Sequence, residues 1–210
     1  MEFRLVYRGS LPSQPADEGK SHSARSPEKH AIRRCFHPQL RELWHKHAVL
    51  SRYTKDLPYP KEIHPPGTRS DKVNLIDFIA KDFTKFGYRF VPLINFRYGI
   101  ACSLDILFLR RDEPGAVIWG GDIDNRIKVL FDGLRVPKYN SECESMPPQE
   151  GENPFFCLLE DDKLITDIKI TTDRLLTPTE QDEQINDVHL ILHVTTKVLN
   201  PQKAWPDFWV

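Results

Sequence analysis

Apolar and polar residues alternate from the second position of the chain. In Glu2–Gly9 the side chains of Phe3, Leu5 and Tyr7 share one side, the period of a half-buried strand. Residues 10–27, rich in Ser, Pro and charge, predict a loop. A helical stretch is expected from Glu28 to about Lys55, where Leu40, Leu43, Trp44 and His47 recur at helix spacing and Pro38 interrupts the run. Prolines 58, 60, 65 and 66 then enforce an extended connection. Residues 71–86 predict a second helix with the stripe Val73, Ile76, Phe78, Ile79 and Phe83, ended by Gly87. Two strands, 88–95 and 100–111, follow as a hairpin around Arg97–Gly99. In the second of these, Leu104, Ile106 and Phe108 alternate with Ser103, Asp105 and Leu107. A third helix is predicted from Asp122 to about Arg135. Two last strands cover 155–170, bent at an acidic cluster, and 187–197.

This order describes an α+β (mixed α/β) fold, a small mixed sheet with helices packed on one face. The expectation is a single domain over 1–210, with loop insertions at 10–27, 55–70 and 137–154. The last of these is acidic and contains Pro, and is expected on the surface.

Composition narrows the class. The chain has 210 residues, which suits one domain with insertions. No run approaches the roughly 18–20 apolar residues of a membrane helix. The amino-terminal stretch MEFRLVYRGSLPS lacks the apolar core of a signal peptide. A soluble, cytoplasmic protein without a membrane partner is expected. Cys35, Cys102, Cys143 and Cys157 are too widely spaced for a zinc ribbon or redox motif, so free thiols are expected. The net charge of -1 hides an asymmetry: residues 1–111 hold 20 Lys and Arg against 11 Asp and Glu, and residues 112–210 hold 9 against 19. A polyanion held by the basic half, with metal or acid–base chemistry in the acidic half, would produce such a split. Mutual neutralisation within the fold would produce it equally well.

The most informative segment is Gly120-Gly121-Asp122-Ile123-Asp124-Asn125-Arg126-Ile127-Lys128. Ile127, Leu130, Phe131 and Leu134 fall on one helical face, and Asp124 and Lys128 stand one turn apart on another. Carboxylates at a helix start commonly cap free N–H groups. A second acidic cluster, Glu160-Asp161-Asp162, precedes the strand 164–170. If that strand reaches back to Asp162, this carboxylate shares a face with Thr166, Ile168 and Ile170, the side a helix would cover. Asp122 and Asp124 would then approach Asp162, with Lys128 beside them. Three such carboxylates need a counter-charge, and Mg²⁺, or Mn²⁺ in its place, is the natural one. Lys128 would stabilise charge on a phosphate or simply pair with Asp124.

GDIDNRIKVLFDGL followed by LLEDDKLITDIKI resembles the RusA family of Holliday-junction resolvases, which pair a D-x-D-N-x-x-K helix with a D-D pair opening a later strand. Gly9-Ser10-Leu11-Pro12-Ser13 after the first strand is similar to the start of that fold. The resemblance implies metal-binding carboxylates at Asp122, Asp124, Asp162 and Asp161, and a catalytic lysine at Lys128. Asn125 and Asp132 match the motif and would support its geometry. It further implies Mg²⁺-dependent hydrolysis of branched DNA by a homodimer, with one nick per subunit.

Arg33, Arg34, Arg41, Lys46 and Arg52 are candidate phosphate contacts, with a solvated helix face as the alternative. His45 and His47 face different ways and do not suit a metal. His189 and His193 are expected on a polar strand face, as is Asp105. Trp205 and Trp209 would anchor the carboxyl-terminal tail. The leading expectation is a metal-dependent endodeoxyribonuclease of branched DNA. A structure-specific binder that has lost cleavage, and a nuclease acting on flap or single-stranded nucleic acid, are the alternatives.

Overall fold

The opening alternation becomes strand β1 (Glu2–Ser10), with Leu5 and Tyr7 buried and Arg4, Val6 and Arg8 exposed or half-exposed. A computed structural model describes residues 1–13, 25–55, 57–58, 72–111, 122–143, 146–176 and 187–200; for residues 57, 58, 72, 73 and 122 only the backbone is described. After β1 come α1 (Ser26–Lys46), β2 (Leu57–Pro58), β3 (Lys72–Val73), α2 (Leu75–Asp82), β4 (Thr84–Lys85), β5 (Tyr88–Ile94) and β6 (Ile100–Arg110). The remainder is α3 (Asp122–Leu134), β7 (Phe155–Leu159), β8 (Ile165–Arg174) and β9 (Asp187–Val198). Short 3-10 turns occur at Leu50–Arg52, Asn140–Glu142 and Asp162–Leu164. The fold is α+β.

The strands divide between two mixed sheets and a two-stranded ladder of β2 and β3. The four-stranded sheet runs β1-β9-β6-β8, antiparallel except for the parallel β6–β8 pair. The other runs β4-β5-β7, with β5 and β7 parallel. The apolar runs FVPLI and FFCLL account for this second sheet. Every residue of both runs is buried, whichever way its side chain points. Such continuous runs mark strands covered on both faces. β6 and β9 instead alternate, their inner rows Leu104, Ile106, Phe108 and Leu190, Leu192, Val194 being buried.

Several expectations are corrected. The predicted hairpin of residues 88–111 is not one, because β5 and β6 belong to different sheets. The second helix is shorter than 71–86: Asn74 caps it at Leu75 by accepting from Ile76 N–H at 3.0 Å. Gly87 does not end that helix. It forms, with Phe86, the two-residue turn of the β4–β5 hairpin, both residues having positive φ (54° and 79°). Pro38 does not interrupt α1, which runs unbroken to Lys46. The cost of an interior proline, about 3 kcal/mol, is offset by what its neighbours bury and bond. Phe36, Leu40 and Trp44 are in the core. The Gln39 amide donates to Val6 O (2.7 Å) and accepts from Val6 N–H (2.9 Å), covering the outer edge of β1.

The stretch 137–154 is mostly exposed among its described residues, yet it sends a few side chains inward. Glu142 and Glu152 are buried, and Cys143 joins Tyr88, Phe90, Val136, Phe155 and Cys157 in a small apolar cluster. Of 10–27, the described ends are the close of β1 and the first turn of α1, and of 55–70 only β2 and Lys55 are described. Gly120-Gly121, Trp205 and Trp209 lie outside the described residues.

Helices α1 and α3 pack closely at Gly133. A Cβ there would overlap the Cγ2 of Ile32 and stand 2.7 Å from its Cβ, and Ile32 is fully buried. Gly133→Ala is therefore expected to destabilise the fold by about 1–3 kcal/mol, measured by urea unfolding, despite alanine's better helix propensity.

Two buried histidines make stability pH-dependent. Tyr88 O–H donates to Met146 O at 2.6 Å, so His30 Nε2, 3.0 Å from that hydroxyl oxygen, must be the donor to it. His30 Nδ1 is left bare and buried, and taking a proton there would add a charge near Arg34 and Arg33. Burial, with those two arginines, pushes His30 down to about 4. His37 donates from Nε2 to Gly151 O and accepts at Nδ1 from Phe156 N–H; burial lowers it too. An unfolded imidazole takes its proton near pH 6.5, so between about 6.5 and 4 the unfolded chain holds more protons. Stability is then expected to fall as pH drops through that window, by about 3 kcal/mol for His30 alone. Urea midpoints across this range should decline less steeply for His30→Asn than for the unmodified chain.

Candidate metal centre

Helix α3 buries the stripe Ile123, Ile127, Leu130 and Leu134, with Val129, as its spacing requires; Phe131 is half-buried. Arg126, also buried, donates to Leu11 O at 3.1 Å. The exposed side carries Asp124 and Lys128. Their side chains are 64% and 63% exposed, and the ammonium lies 3.9 Å from the carboxylate. So open a pair contributes little to stability. It is available to a ligand.

The second acidic cluster sits where the chain leaves one sheet for the other. At the end of β7, Glu160 N–H donates to Ile94 O (2.8 Å), and the Glu160 carboxylate accepts from Phe96 N–H (2.8 Å). This closes the chain onto the turn after β5. Asp161 then caps the 3-10 turn 162–164 by accepting from Lys163 N–H at 3.0 Å. Asp162 is the first residue of that turn, and Leu164 anchors it in the same core as Ile123 and Ile127. Helix α3 and strand β6 both contact the turn.

Asp162 therefore does not lie on the strand with Thr166, Ile168 and Ile170. β8 begins at Ile165, and no helix covers that face among the described residues, Ile168 being 49% exposed. The two acidic motifs meet instead through α3 and the turn.

The lysine closest to the D-D pair is one that the sequence motif does not include. Lys138 Nζ lies 3.1 Å from Asp161 Oδ2 and 3.0 Å from Asp162 Oδ1. Burial works to raise Asp161, but its hydrogen-bond contacts with the Asp162 side chain, the Lys163 N–H and Lys138 hold it down at about 2. Burial likewise works to lower Lys138, and its bonds to Asp162 and Asp161 raise it overall. One ammonium thus bridges the two acidic side chains.

Among the described residues no group of three His, Cys, Asp or Glu side chains is arranged to hold a metal ion. Asp122 opens α3, and its side chain lies outside the described residues. The donor chemistry nonetheless fits a hard divalent cation: the residues are carboxylates, and Asp161 and Asp162 already converge on one positive charge.

Part of the proposed phosphate-binding face is committed elsewhere. Arg33 is fully buried; it donates to Glu142 Oε2 (2.5 Å), Asp132 O (2.7 Å) and Arg135 O (3.0 Å). Arg34 holds Glu152 and Pro147 O, and Arg41 holds Gly151 O. Arg41, Lys46 and Arg52 are exposed, and Lys46 is paired with Glu42 at 2.5 Å. Asp132 is paired with Lys29 (2.8 Å) and Arg135 (2.5 Å), which hold its carboxylate ionised against the penalty of burial. His45 bonds Arg41 O, His193 faces Glu2, and Asp105 pairs with Lys169 at 2.8 Å on the outer sheet face. All four cysteines are free.

No family model matches the chain, and no curated protein or solved structure matches it. No helix among the described residues is long and apolar enough to cross a membrane.

Arg33→Ala leaves Glu142 with one cation in a dry site. It should cost about 3–5 kcal/mol in urea unfolding, whereas Lys46→Ala should stay within about 0.5 kcal/mol. Equal effects from the two would show that Arg33 is not the buried partner described.

Proposed function

We propose that this chain is a divalent-metal-dependent endonuclease of RusA type, hydrolysing phosphodiester bonds in branched DNA as a homodimer. The reading is carried by one observation: the D-x-D-N-x-x-K helix and the turn bearing the D-D pair contact each other, although 33 positions separate Lys128 from Asp161. Packing alone does not require charged side chains on that helix face, since Asp124 and Lys128 are largely solvent-facing.

Asp122, Asp124, Asp161 and Asp162 would hold Mg²⁺, or Mn²⁺ in its place. Bound there, the ion would polarise a phosphoryl oxygen and lower the pKa of a water. The rest falls to side chains of this chain. Helical spacing sets the Lys128 ammonium beside Asp124 on the exposed face of α3, and the helix is fixed beneath both by its buried stripe. A phosphate entering next to the carboxylates meets Lys128 as the exposed cation of that helix face. Its charge offsets the negative charge that builds on the phosphate oxygens during attack. With Arg33 buried and Arg34 held by Glu152, only Arg41, Lys46 and Arg52 of the candidate phosphate contacts stay exposed, and a long basic groove is not part of this reading. Recognition would rest more on the shape of a branch point than on many phosphate contacts.

The test is cleavage of a labelled four-way junction beside duplex, flap and single-stranded controls, in Mg²⁺, Mn²⁺ or EDTA. Paired nicks in the junction that need metal are expected. Asp124→Asn and Lys128→Ala should each slow them by a factor on the order of 10² or more. Junction binding with no cutting in either metal would leave a structure-specific binder. Preferential cutting of flap or single strand would keep the centre and change the substrate.

A further inference from the structure

We propose that Lys138 is the resident counter-cation of the Asp161–Asp162 pair, and that a divalent ion enters the centre only by displacing its ammonium. The proposal rests on reading those carboxylates as metal ligands.

The geometry is that of a bridge. One Nζ stands 3.1 Å from one carboxylate and 3.0 Å from the other, taking an oxygen of each. Lys128 is different in kind: it pairs with Asp124, at 3.9 Å, from an open helix face. Two carboxylates this close repel each other, and a single cation between them removes that repulsion. The pair is thereby kept together when no metal is present.

The root of Lys138 is fixed by several bonds. Val136 N–H donates to Leu159 O at 2.9 Å, tying the chain after α3 to the end of β7. Lys138 N–H donates to Glu142 Oε1 at 3.0 Å, and Glu142 is itself buried against Arg33 and Arg135. The side chain beyond that root is 36% exposed, with room to swing outward. The backbone thus aims the lysine at the pair, and its flexible stem lets it leave. An ammonium and a metal ion compete for the same oxygens, and each repels the other. Lys138 is accordingly a positioning residue. It raises the metal concentration at which the centre fills while keeping its ligands assembled.

The experiment measures Mn²⁺ binding directly, from the electron paramagnetic resonance of the free ion, on the whole chain without DNA. Lys138→Met should bind Mn²⁺ more tightly, on the order of tenfold. Lys138→Arg, which keeps the charge, should bind no more tightly than the unmodified chain. Asp162→Asn should weaken binding both in the unmodified chain and when combined with Lys138→Met, and urea midpoints establish that each variant folds. If Asp162 governs Mn²⁺ binding and Lys138→Met leaves the affinity unchanged or weaker, the role of Lys138 is overturned and the metal centre stands. If Mn²⁺ binding is absent throughout, or indifferent to Asp162, the metal reading falls and the counter-cation proposal with it.

Discussion

Two carboxylates and three cations, sealed between helices, decide how this chain is assembled. Lys29 and Arg33 on α1 and Arg135 just beyond α3 surround Asp132 and Glu142. Taking such ions out of water costs several kcal/mol each, and the cost is recovered only where geometry and hydrogen bonding are nearly complete. Here that condition is met for Glu142, whose carboxylate also accepts from the N–H groups of Lys138 and Tyr139. The requirement acts on shape. α1 and α3 must approach closely enough for the guanidinium of Arg33 to reach across, and Gly133, against Ile32, permits that approach. The chain leaving α3 must then turn back at once to deliver Glu142.

That turn reaches the candidate centre. Residues 135–138 run alongside the end of β7, where Arg135 bridges to Leu159. The chain crosses from one sheet to the other within 160–164, and its direction there is set by the Glu160 bonds to Ile94 and Phe96. Asp161 and Asp162 thus sit on a connection anchored on both sides, while α3 presents Asp124 and Lys128 from above a buried stripe. Anchored elements beneath and charged tips above are what a centre built to hold one ion requires.

The strands and the third helix are legible in the sequence because their periods are clean. β1, β6 and β9 alternate, and Ile127, Leu130 and Leu134 recur at helical spacing. The division into two sheets is not legible, since nothing local tells Tyr88–Ile94 that its partner is Phe155–Leu159 rather than Ile100–Arg110. Pro38 and Gly87 mislead for a shared reason: local propensity argues one way at each, and tertiary contacts overrule it. At the centre, the sequence motif names Asp124, Lys128, Asp161 and Asp162, and the structure brings their two segments into contact. It misses Lys138 and Glu142, because one lysine and one glutamate in a charged, Pro-containing stretch carry no periodicity. Only the fold shows that the first faces the D-D pair and the second faces Arg33.

The split into a basic and an acidic half now has a physical meaning. Lys29, Arg33 and Arg34 come from the first half; Asp132, Glu142 and Glu152 come from the second, and they neutralise one another across the α1 interface. A charge asymmetry along a sequence therefore need not become a charge asymmetry on a surface. Two of the residues that suggest a polyanion-binding face in the sequence, Arg33 and Arg34, are tied instead to Glu142 and Glu152. What remains exposed near the candidate centre is a small set of opposed charges on α3 and the 162–164 turn. In the proposed reading, affinity for a nucleic acid there would come from few contacts and from an ion that the carboxylates would hold. A lysine already lodged between two of those carboxylates would then set how readily such an ion is taken up.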